Sequence, residues 1–275
     1  TAYKIETWLK KKGIETKRDV NNIISFNKYF DESKANILLN SHHDTVEPNS
    51  AYTNDPFSPL IINEKLYGLG SNDAGGALVS LLSTFLHFYN RKDLKHNIIF
   101  LASAEEERSG PNGISSVIPE LPEIDLAVIG EPTLMDIAVA EKGLIVFDLI
   151  VKGTSSHAAH KNLDNSINKA MKIIDKISKI KFPKKSDLLG EVKLTTTQIN
   201  AGVQHNVVPA DVKIVLDVRV NDEYTNIEIY DKLKKELDCE IIPRNLKLNS
   251  SSISKNHKII KAGKSLNFKM YGSPT

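Results

Sequence analysis

The chain has 275 residues, 40% hydrophobic and 25% charged, with 36 Lys and Arg against 34 Asp and Glu for a net charge of +2. That apolar share is enough for a packed core and excludes wholesale disorder, while the balanced charge leaves no field for nucleic acid or an anionic membrane. One cysteine, Cys239, excludes an internal disulfide framework and any multi-cysteine zinc site.

In chain order, residues 1–13 read as an amphipathic helix ended by Gly13. Nothing in this stretch has the layout of a signal peptide, and no apolar run approaches the ~18 residues a membrane helix needs. A soluble, cytoplasmic protein is expected. From about 20 to 150, strands and helices alternate. Asn36–Asn40, Asn97–Ser103 and Asp125–Gly130 are short apolar runs of strand length, and Gly75–Tyr89 carries Leu78, Leu82, Phe85, Leu86 and Tyr89 at helical spacing. Near-continuous apolar strands between helices indicate a sheet covered on both faces, an α/β layer.

After Gly143 the texture changes. Leu144–Lys152 reads as a long strand, Asn165–Ile180 as a helix, Val192–Ile199 and Val212–Arg219 as strands, Asn226–Leu237 as a helix and Cys239–Ile242 as a strand. Strand, helix, strand, strand, helix, strand is the order of a ferredoxin-like α+β domain with one helical face. The expected division is 1–143 for a first domain, 144–250 for an inserted one, and 251–275 for a return to the first.

Four motifs with acids or histidine lie around the strand ends of the first domain, where open α/β sheets bind ligands. Ser41-His-His-Asp-Thr45 offers His42 as a metal ligand with Asp44 as its orienting carboxylate, or simply a polar turn. Tyr67-Gly-Leu-Gly-Ser-Asn-Asp-Ala-Gly-Gly76 precedes the helix; it has no phosphate-loop spacing, and Asp73 reads as a helix cap or as a carboxylate bridging two cations. Ala104-Glu-Glu-Glu-Arg108 places three acids together, which is a solvated loop unless two of them share a cleft and a cation or proton compensates them. Ile129-Gly-Glu-Pro-Thr133 presents Glu131 braced by a proline. Four such motifs around one sheet are hard to explain as surface decoration.

In this order and placement the motifs resemble the zinc-dependent M20 metallopeptidases and amidohydrolases, from His42-His-Asp-Thr-Val46 to Asn206-Val-Val-Pro209. The resemblance implies a mixed-sheet zinc-hydrolase domain with an inserted ferredoxin-like dimerisation domain. It implies two Zn2+, with Co2+ as a substitute: His42 and Glu131 on one, Glu107 on the other, Asp73 bridging, and a cis peptide at Asp73–Ala74. Glu106 would be the general base and Asp44 the support of His42. By the same resemblance Gly153-Thr-Ser-Ser-His157 supplies His157 to the oxyanion in a partner subunit's site, which makes a homodimer, and Asn206 contacts substrate. His157 read by itself is equally a surface histidine. Arg219 is a candidate for a substrate carboxylate, or an ordinary solvated side chain.

Gly70–Gly76 and Ala104–Gly110 are most similar to the acetylornithine deacetylases of that family, implying cleavage of a small N-acyl amino acid, N-acetylornithine or N-acetylcitrulline, in arginine biosynthesis. Succinyl-diaminopimelate desuccinylase, dipeptidase, aminoacylase and an inactive dimeric homologue are the alternatives. Ala74-Gly75 stands where Met-Lys is usual in the family, and Ser41 where Gly is common. The resemblance also implies a last zinc-binding His after Gly-Ser-Pro-Thr, absent from a chain that ends at Thr275; His257 precedes that region. On that basis one zinc site is complete and the other one ligand short, with little hydrolase activity expected of this chain alone.

Overall fold

The structure is a computed structural model and describes residues 1–274. By its internal contacts the chain divides into two units, Thr1–Leu134 and a second beginning at Met135.

The first unit contains α1 (Ala2–Lys11), β1 (Lys17–Asp19), β2 (Asn22–Phe26), β3 (Asn36–His42), β4 (Leu60–Ile62), β5 (Lys65–Tyr67), α2 (Ala77–Phe88), β6 (Asn97–Ser103), α3 (Ile114–Val117) and β7 (Leu126–Ile129). Five of these strands form one sheet in the order β1-β2-β6-β3-β7. The β2–β6 pair is antiparallel, and β6–β3 and β3–β7 are parallel. Successive side chains of a strand point to opposite faces, so Leu39, Phe100 and Ala102 join Leu9, Leu78 and Phe85 in one core. Leu38, Ile99 and Leu101 join Ile24 and Val117 in another on the opposite face. Covering on both faces is why the middles of β3 and β6, Ile37–Leu39 and Ile98–Ala102, are apolar without alternation; each fully buried Leu, Ile or Phe contributes about 1.5–3 kcal/mol.

The parallel register sets the site. His42 is paired with Ser103, and Asn40 with Ile129, so the carboxyl ends of β3 and β6 finish level and β7 ends two residues earlier on the same edge. The segments that follow, carrying Asp44, Glu105–Glu107 and Glu131, therefore emerge at one edge of the sheet. Buried polar side chains tie this edge together: Asn40 Nδ2 donates to Ser103 Oγ at 3.0 Å, and Ser41 Oγ to the Gly130 carbonyl at 2.8 Å. The β4–β5 hairpin has no counterpart in the sequence reading. All six of its strand residues are exposed, so no buried face imposes a period, and its turn residues Asn63 and Glu64 both have left-handed φ.

The second unit contains β8 (Ile137–Glu141), β9 (Gly143–Lys152), β10 (Ser156–His157), α4 (Ser166–Lys179), β11 (Lys193–Ala201), β12 (Val207–Val208), β13 (Asp211–Val220), α5 (Asn226–Glu236), β14 (Glu240–Pro243), β15 (Ser251–Ser252), α6 (Lys258–Ser265) and β16 (Met270–Ser273). Its main sheet is antiparallel in the order β11-β13-β9-β14. With α4 and α5 between strands, this is the expected ferredoxin-like βαββαβ, over Gly143–Pro243. Strand β9 alternates strictly, burying Ile145, Phe147, Leu149 and Val151 against Ala170, Ile173 and Ile177 of α4 and Ile229 and Leu233 of α5. Asn165 caps α4 by accepting from the Ile167 and Asn168 amides, and Thr225 with Glu228 forms a capping box on α5.

The division after Leu134 lies ahead of the expected 143/144 boundary. The reason is β8, which pairs antiparallel with β15 and parallel with β16, so the closing segment groups by contact with the second unit.

Candidate metal centre

His42 ends β3 with its side chain 1% exposed. Its Nδ1 lies 3.0 Å from the Asp44 carbonyl oxygen and 3.5 Å from Asp44 Oδ1. Its Nε2 faces outward, 3.0 Å from Asp73 Oδ1, 3.9 Å from Glu131 Oε2 and 4.0 Å from Glu106 Oε2. Asp73 comes from a six-residue turn, Ser71–Gly76, wound more widely than an α-helix and broken at Asp73 (φ −108°, ψ 102°), with a cis bond between Asp73 and Ala74. Asp73 therefore stands ahead of α2, in the turn leading into it, and points at His42.

Among the described residues, His42, Asp73 and Glu131 are the one set of three His, Cys, Asp or Glu residues whose donor atoms lie within 4.8 Å of one another. Two donors each about 2.0–2.2 Å from a tetrahedral metal stand roughly 3.3–3.5 Å apart. The Nε2–Oδ1 and Nε2–Oε2 separations of 3.0 and 3.9 Å bracket that spacing, and one nitrogen with two carboxylate oxygens is a donor set that fits zinc or a similar divalent ion.

The electrostatics agree. Burial pushes the Glu131 carboxyl up to about 7; the His42 charge opposes this, and Glu106, Asp73 and Glu107 add to it. Glu106 is raised mainly by burial, again opposed by His42 and reinforced by Glu107, Asp44 and Asp73. Burial works against a charged His42, but the Asp73 contact and the charges of Glu131 and Glu106 outweigh it and lift its pKa. Several carboxyls around one imidazole are an excess of negative charge that a proton or a cation must compensate.

Glu107 lies outside this set of three. What binds it to the site is its backbone: the amides of Glu106 and Glu107 donate to Asp44 Oδ1 and Oδ2, each at 3.2 Å. Asp44 thus touches His42 most closely through its carbonyl, while its carboxylate grips the loop after β6, a contact no local pattern in the sequence announces. Asn22, fully buried in β2, is a second residue that sequence reasoning passes over. Its Oδ1 accepts from the Ala104 amide at 2.9 Å and its Nδ2 donates to the Asn112 carbonyl at 2.8 Å. The available signal was an asparagine opening a strand, Asn22-Ile-Ile-Ser-Phe26, that is buried along nearly its whole length.

The remaining candidates lie in the second unit. His157, in β10, is exposed; its Nδ1 accepts from the Ala159 amide at 3.2 Å. The short β10–β12 pair joins it to Val207, and the Asn206 carbonyl accepts from the Ala158 amide at 2.9 Å, so His157 and Asn206 are close in space. Gly153 starts this loop where a Cβ would lie 2.5 Å from the Asp164 carbonyl oxygen, which explains the glycine four residues before His157. Arg219 is bound to Asp217 on its own strand, Nε to Oδ1 at 2.8 Å and Nη2 to Oδ2 at 3.3 Å.

The peptidase family M28 model matches residues 22–190, more than half the chain, and the M20 peptidase dimerisation domain model matches residues 139–243. A succinyl-diaminopimelate desuccinylase of Helicobacter pylori (strain HPAG1) is 32% identical over 222 residues, covering 77% of this chain and 57% of the relative. The chain thus spans a little over half the length of the curated relatives it matches. Among solved structures, an M20 metallo-carboxypeptidase of Sulfolobus solfataricus superposes with a TM-score of 0.72 at 17% identity, covering 100% of this chain and 80% of that one. A Bacillus subtilis M20 peptidase described as dinuclear metal binding gives a TM-score of 0.65 at 14% identity, covering 99% and 75%. At these identities the superpositions establish the fold. The chain matches the M28 peptidase family model over more than half of its length and carries the M20 dimerisation domain, so it belongs to the metallopeptidases these two models describe, with the fold of the M20 members.

Proposed function

We propose that this chain supplies the metal-binding and dimerisation parts of a metal-dependent hydrolase that cleaves the amide bond of a small N-acyl amino acid, with N-succinyl-diaminopimelate as its substrate. The observation that carries the reading is the convergence of His42 Nε2, Asp73 Oδ1 and Glu131 Oε2, with the Glu106 carboxylate 4.0 Å from the same imidazole nitrogen. The desuccinylase relative supports a succinyl substrate over N-acetylornithine, the substrate implied by the Gly70–Gly76 and Ala104–Gly110 motifs.

In this reading His42, Asp73 and Glu131 hold one zinc, and Glu107 with Asp73 contributes to a second. When bound, such ions polarise an amide carbonyl and acidify a water at neutral pH. Glu106 takes the proton of the attacking water and delivers it to the leaving amine. Asp44 holds the backbone that carries Glu106 and Glu107. His157 of a second copy donates to the oxyanion, with Asn206 beside it on the substrate. Arg219, held by Asp217 on its own strand through Nε and Nη2, is the candidate for a substrate carboxylate. The working form is a cytoplasmic homodimer joined through the inserted domain.

The test is a panel of N-succinyl-diaminopimelate, N-acetylornithine, N-acetylcitrulline and simple dipeptides with the complete protein loaded with zinc or cobalt. The succinyl substrate is expected to be hydrolysed fastest. Glu106→Gln is expected to lower kcat about 10²–10⁴-fold with metal binding intact. Faster turnover of N-acetylornithine would overturn the substrate, and ordinary activity in Glu106→Gln would overturn the role of Glu106.

A further inference from the structure

The three consecutive acids after β6 do not behave alike. The Glu106 side chain is 54% exposed and faces His42, whereas that of Glu105 is 13% exposed and turns into its own loop. Glu105 also has a left-handed backbone, φ +57°, a conformation rarely taken by residues other than glycine. Its Oε2 accepts from the Asn112 amide at 3.1 Å; its Oε1 accepts from Arg108 Nη2 at 2.9 Å and Asn112 Nδ2 at 3.4 Å. Its carbonyl accepts from the Gly110 amide at 2.9 Å. A Cβ on Gly110 would lie 2.0 Å from Glu105 Oε2 and 2.7 Å from Glu105 Cβ, so the space the carboxylate occupies exists only because residue 110 is glycine.

These contacts make the loop from Ala104 to Asn112 a ring. Asn22 ties the two ends to β2, the Glu105 carboxylate fills the middle, and Asp44 holds the amides of Glu106 and Glu107 from the other side. We propose that Glu105 is a positioning residue: its inward carboxylate and left-handed backbone set the direction in which Glu106 and Glu107 leave the loop. The proposal rests on the reading of Glu106 as proton carrier for its kinetic consequence only; the positioning itself is a statement about the loop.

Chemistry separates the variants. Ala removes every acceptor. Gln keeps one oxygen but sets an NH2 group against donors. Asp keeps the charge, is a methylene shorter and tolerates left-handed φ better.

Hydrogen exchange of the peptide covering 104–113, read against the β6 peptide 97–103, tests the positioning without metal or substrate. Glu105→Ala and Glu105→Gln are expected to lose at least about tenfold of the protection of the Glu106 and Glu107 amides with β6 unchanged, and Glu105→Asp to recover most of it. In the zinc-loaded protein kcat is expected to fall about 10–100-fold with KM within about twofold, and the weaker equivalent of zinc to be lost first. Arg108→Ala, whose side chain is 74% exposed, is expected to change none of these by more than about twofold. Unchanged loop protection in both Glu105→Ala and Glu105→Gln overturns the proposal, as does equal loss of protection in the loop and in β6. If the parent protein hydrolyses no N-acyl amino acid the functional reading fails, and the exchange data still decide the role of Glu105.

Discussion

Asp44→Asn separates two roles that one residue could play here. The Asp44 carboxylate accepts two backbone amides, those of Glu106 and Glu107, at 3.2 Å each, while His42 Nδ1 sits closer to its carbonyl, 3.0 Å, than to its Oδ1, 3.5 Å. Asparagine keeps the carbonyl and one side-chain oxygen but turns the other acceptor into a donor, leaving one amide facing an NH2 group. A hydrogen bond to a charged acceptor contributes about 1.5–3 kcal/mol, and an unsatisfied donor costs about 1–3 kcal/mol. Asp44 is 25% exposed, so water restores part of the loss. A figure of about 2 kcal/mol follows, or roughly 30-fold. The loss falls on the loop carrying Glu106 and Glu107, because the contact orienting His42 is a main-chain one that the substitution keeps. Isothermal titration with zinc is therefore expected to show the tighter site, made by His42, Asp73 and Glu131, within about threefold of the parent. In the same preparation kcat for N-succinyl-diaminopimelate falls about 30-fold. The reasoning is refuted if the tighter site weakens by tenfold or more while kcat per bound metal is unchanged, because the carboxylate would then be acting through His42.

Two further outcomes follow from the same geometry. Glu131 is raised from 4.5 to about 7, and His42 is also raised, so both bind protons more tightly folded than unfolded when no metal is present. Their contribution makes the chelated protein less stable as pH rises from about 4.5 through 7, whereas zinc affinity rises over the same interval, up to about tenfold per pH unit for each proton displaced. Melting curves with and without zinc at pH 6 and 8 should diverge more at pH 8; equal separation at both would show that these groups do not compete with the metal. Phe100→Ala removes a fully buried ring stacked on Phe85 at 5.7 Å between centroids, in the sheet that carries the site. A loss of about 3–5 kcal/mol is expected in urea unfolding, and a loss below about 1 kcal/mol would contradict the core described here.

The residues that meet at the centre were legible only as four motifs around one sheet; each motif by itself reads equally as a polar turn, a helix cap or a solvated loop, and their roles came from the resemblance to a family. Ile37–Leu39 and Ile98–Ala102 are apolar throughout because both faces of the sheet are covered, and polar motifs after such runs mark the sheet's carboxyl edge. The ferredoxin-like run was legible from the strict alternation of Gly143–Lys152 and the helical spacing of Ala170, Ile173 and Ile177. The β4–β5 hairpin was not, since every one of its strand residues is exposed and no burial imposes a period. The grouping after Leu134 follows from β8, whose partners β15 and β16 lie far along the chain, where no local pattern reports them.

Composition, the order of elements and the polar motifs after strands are properties of short stretches, and the sequence alone determined them: balanced charge, no disulfide framework, an α/β layer followed by a ferredoxin-like α+β run, and His42, Asp73, Glu106, Glu107 and Glu131 as the residues to watch. Which side chains of those motifs face one another depends on contacts between residues distant in sequence, and only the tertiary structure decided that. The parallel register of β3 with β6 and β7 brings Glu106 and Glu131 to His42. The broken turn before α2 aims Asp73 at the same nitrogen. The fold also gives the Asp44 carboxylate to the Glu106 and Glu107 amides, binds Arg219 to Asp217, and turns Glu105 inward beside an exposed Glu106. Periodicity cannot report such choices, because three adjacent glutamates have the same hydropathy and differ only in the donors the fold sets before each.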